Sequence, residues 1–308
     1  MAVESTGYVY TTTDGGLTWT TQTSAGSRDW RAVASSSDGS IIVGLVYRGF
    51  MYVSTDSGSS WSERASAGSR YWSSIALTTD GIKIFASATA NSLYYSDDSG
   101  LSWNTLTVGG YRSRRAIDMS DSGQSIAATV FTYSNAVYVS FDYGKSWSES
   151  VITQEWQYWA SIAMSADGRK VIAGTENGSL YISNDSGQSW NAITGIHIND
   201  SDTAWFGLDM TPDGNTIVVS ENQGADNQGG GLYISRDGGA TWQEQTGVTG
   251  RYWSDMAFAN TVSVSDDGQK IIVADSYGSE WNRSKQLHLF IAVMVGGVKR
   301  RVHAGWWG

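Results

Sequence analysis

At 308 residues, with a formal net charge of −10 and no cysteine, the chain excludes disulfide scaffolding and Cys-ligated metal. Its acidity, with no Lys/Arg run in the repeated part, argues against nucleic acid as a partner. The 36 Gly, 15 Trp and 16 Tyr, with a single proline (Pro212), suit short strands joined by tight turns around aromatic packing.

Met1-Ala2-Val3-Glu4-Ser5 has none of the pattern of a signal peptide. Tyr8 to Thr12 alternate like a strand and lead into Thr12-Thr13-Asp14-Gly15-Gly16-Leu17-Thr18-Trp19, and a second strand follows over Thr18 to Thr23. The next unit begins at Trp30-Arg31-Ala32-Val33-Ala34-Ser35, turns at Asp38-Gly39, and continues through Ile41 to Leu45 and Phe50 to Ser54. The form Ser/Thr-x-Asp-x-Gly-x-Ser/Thr-Trp then returns at Ser54 to Trp61. It occurs six times in all, with Asp14, Asp56, Asp98, Asp142, Asp185 and Asp237 spaced 42, 42, 44, 43 and 52 residues apart. A near-constant period of this length marks a repeat architecture. Asp carboxylates and Ser/Thr hydroxyls accept backbone N–H groups in tight turns, and the Gly takes a positive φ. We call the four strands of a unit A, B, C and D, with the box turn between C and D.

Strand A is expected innermost, since it is small and apolar, as in Ser161-Ile162-Ala163-Met164. Five units run complete from about Trp30 to about Gly247. The chain starts with C and D and ends its regular part with an A-like run before Ser265 and a B run at Lys270 to Ala274. Pairing those halves closes a sixth blade and leaves no free sheet edge. If Leu287-His288-Leu289-Phe290 supplies a C strand of its own, the count moves towards seven. The domain expectation is one array over 1–278 and a C-terminal tail, 279–308, of unassigned role that either stands apart or adds blade strands. The apolar run Leu287 to Gly297 is too short to span a bilayer, which takes about 20 residues.

The repeated box resembles the Asp-box, or BNR repeat, of sialidases, sortilin-type receptors, xyloglucanases and photosystem II assembly factors. The resemblance covers about Gly7 to Gly268. It implies an all-β fold: a β-propeller of four-stranded antiparallel blades, six in number or alternatively seven. It implies no single activity, because the family shares a fold across many functions. The sialidase-like enzymes of the family use three arginines, a Tyr–Glu nucleophile pair, an Asp acid and an N-terminal Arg-Ile-Pro motif. This chain lacks that tripeptide, and Glu155 and Glu221 stand in no recognisable context, so catalysis is not expected.

The loops from strand D to the next strand A carry a recurring aromatic and basic pattern. They supply Arg28 and Trp30; Arg70, Tyr71 and Trp72; Arg112 and Arg114; Tyr158 and Trp159; Trp205; and Arg251, Tyr252 and Trp253. Aromatic faces stack on sugar rings, and Arg forks bind carboxylate, sulfate or phosphate. The competing reading packs each Trp between blades and sets each Arg on a carbonyl or an Asp. Asp118 and Asp209 occupy one strand A position, where other units have Ala34, Ala76 and Ala163. Two carboxylates beside a channel suit an acid/base pair or a cation, or else hydrogen bonds to neighbouring strands. His197, His288 and His303 have no metal-ligand spacing. No cofactor is expected. The expected function is a non-catalytic, lectin-like glycan-binding module with a glycan or an acidic protein surface as partner; the alternatives are a protein-docking scaffold like a photosystem assembly factor and, less favoured, a sialidase-like glycoside hydrolase. An extracellular or periplasmic location is the expectation.

Overall fold

The computed structural model describes residues 1–3, 7–14, 16–89, 93–106, 108, 114–130, 134–153, 156–196, 204–221, 230–245, 262–274 and 289–292. For 114, 115, 274 and 289–292 it describes the backbone alone.

All the regular structure described is strand apart from two three-residue 3-10 turns, Thr23–Ala25 and Ala65–Ala67. Blade I pairs Trp30–Ser35, Ile42–Gly49, Met51–Ser54 and Ser62–Arg64. Blade II pairs Arg70–Leu77, Ile84–Ala88, Leu93–Ser96 and Asn104–Leu106. Blade III holds Arg114–Met119, Ile126–Val130, Ala136–Ser140 and Ser148–Val151. Blade IV holds Trp159–Met164, Val171–Thr175, Leu180–Ser183 and Asn191–Ala192. Blade V holds Trp205–Met210, Ile217–Glu221, Leu232–Ser235 and Gln243–Glu244. Every pairing is antiparallel, as short alternating runs joined by Asp-Gly turns require.

The box turns are built as the residue types dictate. At 183–190 the Ser183 hydroxyl donates to Asp185 Oδ1 at 2.8 Å and accepts the Gly187 N–H at 2.8 Å. The Ser189 N–H and hydroxyl donate to Asp185 Oδ1 and Oδ2 at 2.8 and 2.5 Å. Gly187 sits at φ 86°, where a side chain would be strained. Hydroxyl and amide donors, Ser189 first, hold the Asp185 carboxyl down at about 2. Asp98, Asp142 and Asp237 are held at about 2 in the same way. Replacing Asp185 with Ala orphans these donors and is expected to lower stability by roughly 1–2 kcal/mol. Because the folded-state pKa is depressed, that contribution is full above the ordinary value of 3.8 and is lost as pH falls towards about 2. Urea unfolding of the two proteins at pH 7 and pH 2.5 checks this; an undiminished difference at pH 2.5 contradicts the turn account.

Closure of the ring differs from the expectation. The sixth blade that was to pair N- and C-terminal strands is not formed by the described strands. Ile271–Ala274 is occupied on both edges, by Val262–Val264 and by Leu289–Ala292. Val9–Thr11 is likewise flanked by Thr20–Gln22 and by Ala2–Val3, a strand too short to show in the sequence. The tail therefore gives its own C-position strand, and two three-stranded sheets meet where one blade was expected.

Candidate functional site

Four-stranded antiparallel blades sort their connections. A–B and C–D turns lie on one face of the ring, and B–C and D–A loops on the other. The second face carries the arginines and aromatics singled out in the sequence.

Arg28 and Arg70 are placed alike. Arg28 Nε donates to the Ala25 carbonyl at 3.0 Å, and its guanidinium lies 4.0 Å from the Tyr52 ring centroid. Arg70 Nε donates to the Ala67 carbonyl at 2.9 Å, and its guanidinium lies 4.5 Å from the Tyr94 ring. Each acceptor is the last residue of a 3-10 turn, whose carbonyls lack a helical partner. Arg28 is half-buried and Arg70 exposed. The terminal nitrogens of Arg70 have no hydrogen-bond partner among the described residues.

The tryptophans that open strand A go inward. Trp30, Trp72, Trp159 and Trp205 are among the largest fully buried side chains. Each meets a strand C tyrosine edge to face: Tyr52, Tyr94, Tyr181 and Tyr233, at 5.5, 5.0, 5.6 and 5.8 Å. Indole N–H groups of Trp30, Trp72 and Trp159 donate to the carbonyls of Gly26, Gly49 and Ser134. As placed, these rings hold blades together and turn no face to solvent. Tyr71 and Tyr158 are 44 % exposed and Trp156 51 %. Arg114 begins strand A of blade III, its backbone in register with Val130. Arg112, Arg251, Tyr252 and Trp253 lie outside the described residues.

The same face holds a cluster that the repeat pattern did not reveal. The B–C hairpin of blade I pairs with the start of strand A of blade II, Tyr47 with Tyr71 and Gly49 with Arg70. The Ser69 hydroxyl donates to the Arg48 carbonyl at 3.0 Å. The Tyr47 and Tyr71 rings meet edge to face at 5.5 Å. The exposed Arg48 guanidinium lies 5.3 Å from the first ring and 5.1 Å from the second. Buried Arg31 lies 5.2 Å from the Tyr47 ring. Arg48 takes φ 53°, an uncommon conformation for a non-glycine residue.

Asp118 and Asp209 act alike at the channel. Asp118 Oδ1 accepts the Met119 N–H and Oδ2 accepts the Met164 N–H of the next blade, both at 2.8 Å. Asp209 Oδ1 accepts the Met210 N–H and Oδ2 the Val264 N–H, again at 2.8 Å. Each carboxylate thus bridges successive A strands. The two line one cavity of about 30 Å³ together with Asp121 and Asp266. Burial, opposed by the two N–H groups and reinforced by the Asp118 charge, pushes Asp209 up to about 7. Among the described residues no group of three or more His, Asp or Glu is placed to hold a metal ion. Glu221 is buried and accepts the Gly231 N–H at 3.2 Å and the Tyr233 hydroxyl at 3.4 Å.

A ring of antiparallel four-stranded blades, each complete one stitched by an Asp-box turn, defines a β-propeller of the Asp-box class. The chain belongs to the Sortilin-Vps10 family (sortilin, neurotensin receptor 3), whose model matches residues 135–296, just over half of its length. No curated protein matches it in sequence. Among solved structures it is similar to the Cps50 (Swd1) β-propeller domain of Myceliophteria thermophila, at 14% identity and TM-score 0.62 over 89% of this chain and 86% of that one. It is also similar to an ancestral GH74 enzyme, AFV00434, at 16% identity and TM-score 0.60 over 84% of this chain, spanning 39% of that enzyme. A third likeness is to Kuenenia stuttgartiensis hydrazine synthase, at 15% identity and TM-score 0.58 over 78% of this chain and 72% of that one. At these identities the likeness is one of fold. No helix among the described residues is long and apolar enough to cross a membrane.

Proposed function

We propose that the chain is a non-catalytic binding module that takes acidic glycans on the face bearing the B–C and D–A loops. The observation that carries this reading is the group of half-buried Tyr47 with exposed Arg48, Arg70 and Tyr71, where the Arg48 guanidinium lies over both tyrosine rings. Arginine forks suit carboxylate or sulfate, and the tyrosine faces suit sugar rings. Tyr158 and Trp156 extend the aromatic surface, and Arg28, Arg112, Arg114, Arg251 and Tyr252 belong to the same loop set in the sequence. On an otherwise acidic chain such a patch selects anions by local rather than net charge.

The test is calorimetric titration with sulfated, uronic and neutral oligosaccharides of matched length. Acidic oligosaccharides should bind and neutral ones should not. Affinity should fall as salt rises, since exposed charges are screened over about 8–10 Å at physiological ionic strength. Arg48→Ala is expected to weaken binding roughly tenfold, near 1.4 kcal/mol, with little change in melting temperature. Equal affinity for neutral and acidic sugars, or no effect of Arg48→Ala, would overturn the reading. Tighter binding of poly-glutamate than of any acidic oligosaccharide would favour an acidic protein surface instead, since a polypeptide carboxylate needs no sugar-stacking face.

A further inference from the structure

The face that bears the A–B and C–D turns carries an apolar group that the repeat does not call for. Ile82 and Leu101 of blade II and Phe141 and Tyr143 of blade III are all exposed. The other units serve as a control within the same chain. Where Ile82 stands they hold Ser40, Gln124, Arg169, Asn215 and Gln269. Where Phe141 stands they hold Thr13, Thr55, Asp97, Asn184 and Arg236. Where Tyr143 stands they hold Gly15, Ser57, Ser99, Ser186 and Gly238. Tyr143 takes φ 63°, the left-handed region that a bulky side chain disfavours. The turns form with polar residues or glycine at these positions, so turn geometry does not explain the apolar side chains.

The four side chains belong to one surface. The Ser99 N–H, in the box turn that holds Leu101, donates to the Ile82 carbonyl at 2.9 Å. Lys83, next to Ile82, sets its ammonium 5.5 Å from the Tyr143 ring centroid. The box turn of blade III is seated on blade II, since a Cβ on Gly144 would meet Phe85 at 2.7 Å. The patch thus runs from Leu101 through Ile82 and Lys83 to Tyr143 and Phe141. Its charges are sorted along that line. Beyond the aspartate that every box holds, exposed Asp97 stands at the blade II end and exposed Lys145 at the blade III end. Neither of these side chains, nor the Lys83 ammonium, has a hydrogen-bond partner among the described residues.

We propose that this patch is the contact surface of a symmetric dimer, occupied by a second copy of the chain. A contiguous exposed apolar patch marks an association surface. A two-fold axis through its middle turns the second patch end for end. Asp97 of each protomer then faces Lys145 of the partner subunit, and the apolar side chains lose their water against one another. Apolar burial gives the affinity, and the charge pairs fix the register. A wholly acidic or wholly basic partner would meet like charge at one end of the patch. A second copy matches both ends with the residues it already has.

The experiment is sedimentation equilibrium of the full chain from micromolar to submillimolar concentration, at low and at physiological salt. A concentration-dependent equilibrium of monomer and dimer is expected. It should tighten as salt rises, because copies of net charge −10 repel at long range and salt screens that repulsion but not apolar burial. Leu101→Ser and Tyr143→Ser install residues that other boxes already hold, as at Ser59 and Ser57. Each should raise the dimer dissociation constant at least about tenfold. Neither should lower the melting temperature when that is measured at a concentration where the parent is monomeric. Lys145→Asp and Asp97→Lys should each weaken the dimer, and the double variant should regain the parent's affinity, since the swap again sets opposite charges face to face. A monomer at every concentration, a dimer indifferent to Leu101→Ser and Tyr143→Ser, or a double variant no tighter than either single one would overturn the proposal.

Discussion

Trp159→Ala is expected to destabilise the protein by about 3–5 kcal/mol, the largest single effect of any substitution considered. The ring is 0 % exposed and packs with Val137 and Val139 of blade III and Ile162 and Val171 of its own blade. Its N–H donates to Ser134 O at 3.0 Å, and Tyr181 meets it edge to face at 5.6 Å. Truncation removes the apolar area, opens a cavity between two blades and takes one of two donors from the Ser134 carbonyl, which also accepts the Gln157 N–H at 2.7 Å. The neighbouring Trp156, 51 % exposed, should tolerate alanine within about 0.5 kcal/mol. Urea midpoints of the two variants check the contrast. If Trp159→Ala cost less than about 1 kcal/mol, the ring would not be the blade-joining element described here.

That contrast also marks how far the sequence could be read. The box turns, the five complete blades and the inner placement of strand A were legible because each rests on local chemistry repeated at a fixed period. The roles of the loop residues were less so, because one tripeptide context holds both a buried and an exposed aromatic. Tyr71 and Trp72 are adjacent, and strand alternation sends one to solvent and the other between blades. The seating of Arg28 and Arg70 did leave a signal, the pentapeptide Ser-Ala-Gly-Ser-Arg at 24–28 and again at 66–70. Its repetition marks the 3-10 turn and the arginine that caps it. Nothing periodic announces Tyr47 and Arg48, since B–C hairpins differ in length from blade to blade and only one carries this pair. At the ring's closure the described strands follow the alternative reading, in which the tail supplies a C strand of its own; Ala2–Val3 is two residues long and Leu289–Ala292 follows no box, so neither is marked by the repeat. Asp118 and Asp209 were placed on one face by alternation, but the N–H groups they accept belong to other blades, 46 and 55 residues away.

Those two carboxylates make the second large effect one of pH. Asp209 bonds the last described A strand to blade V through the Val264 N–H, beside a cavity shared with Asp118, Asp121 and Asp266. Burial disfavours its ionised form, and Asp118 adds like charge, so the folded-state value rises from 3.8 to about 7. Below 3.8 the group is protonated whether or not the chain is folded, and it contributes no slope. Between 3.8 and about 7 the folded chain keeps a proton that the unfolded chain gives up, so stability falls as pH rises. At about 1.4 kcal/mol per pH unit the whole interval is worth roughly 4 kcal/mol. The side chain is half-buried rather than enclosed, and water reaching it through the cavity solvates the charge. The expected loss is therefore roughly 1–3 kcal/mol between pH 4.5 and pH 8. Asp209→Asn keeps an oxygen acceptor for one of the two N–H groups and cannot ionise. The variant should be less stable than the parent at pH 4.5 and should overtake it or draw level by pH 8. The box carboxylates do not confuse the comparison, since they are common to both proteins and their hydrogen bonds hold them below the usual carboxylate range. Melting curves of the two proteins across pH 4.5–8 decide the matter. Parallel curves would mean that Asp209 stays ionised throughout and serves only as a strand bridge.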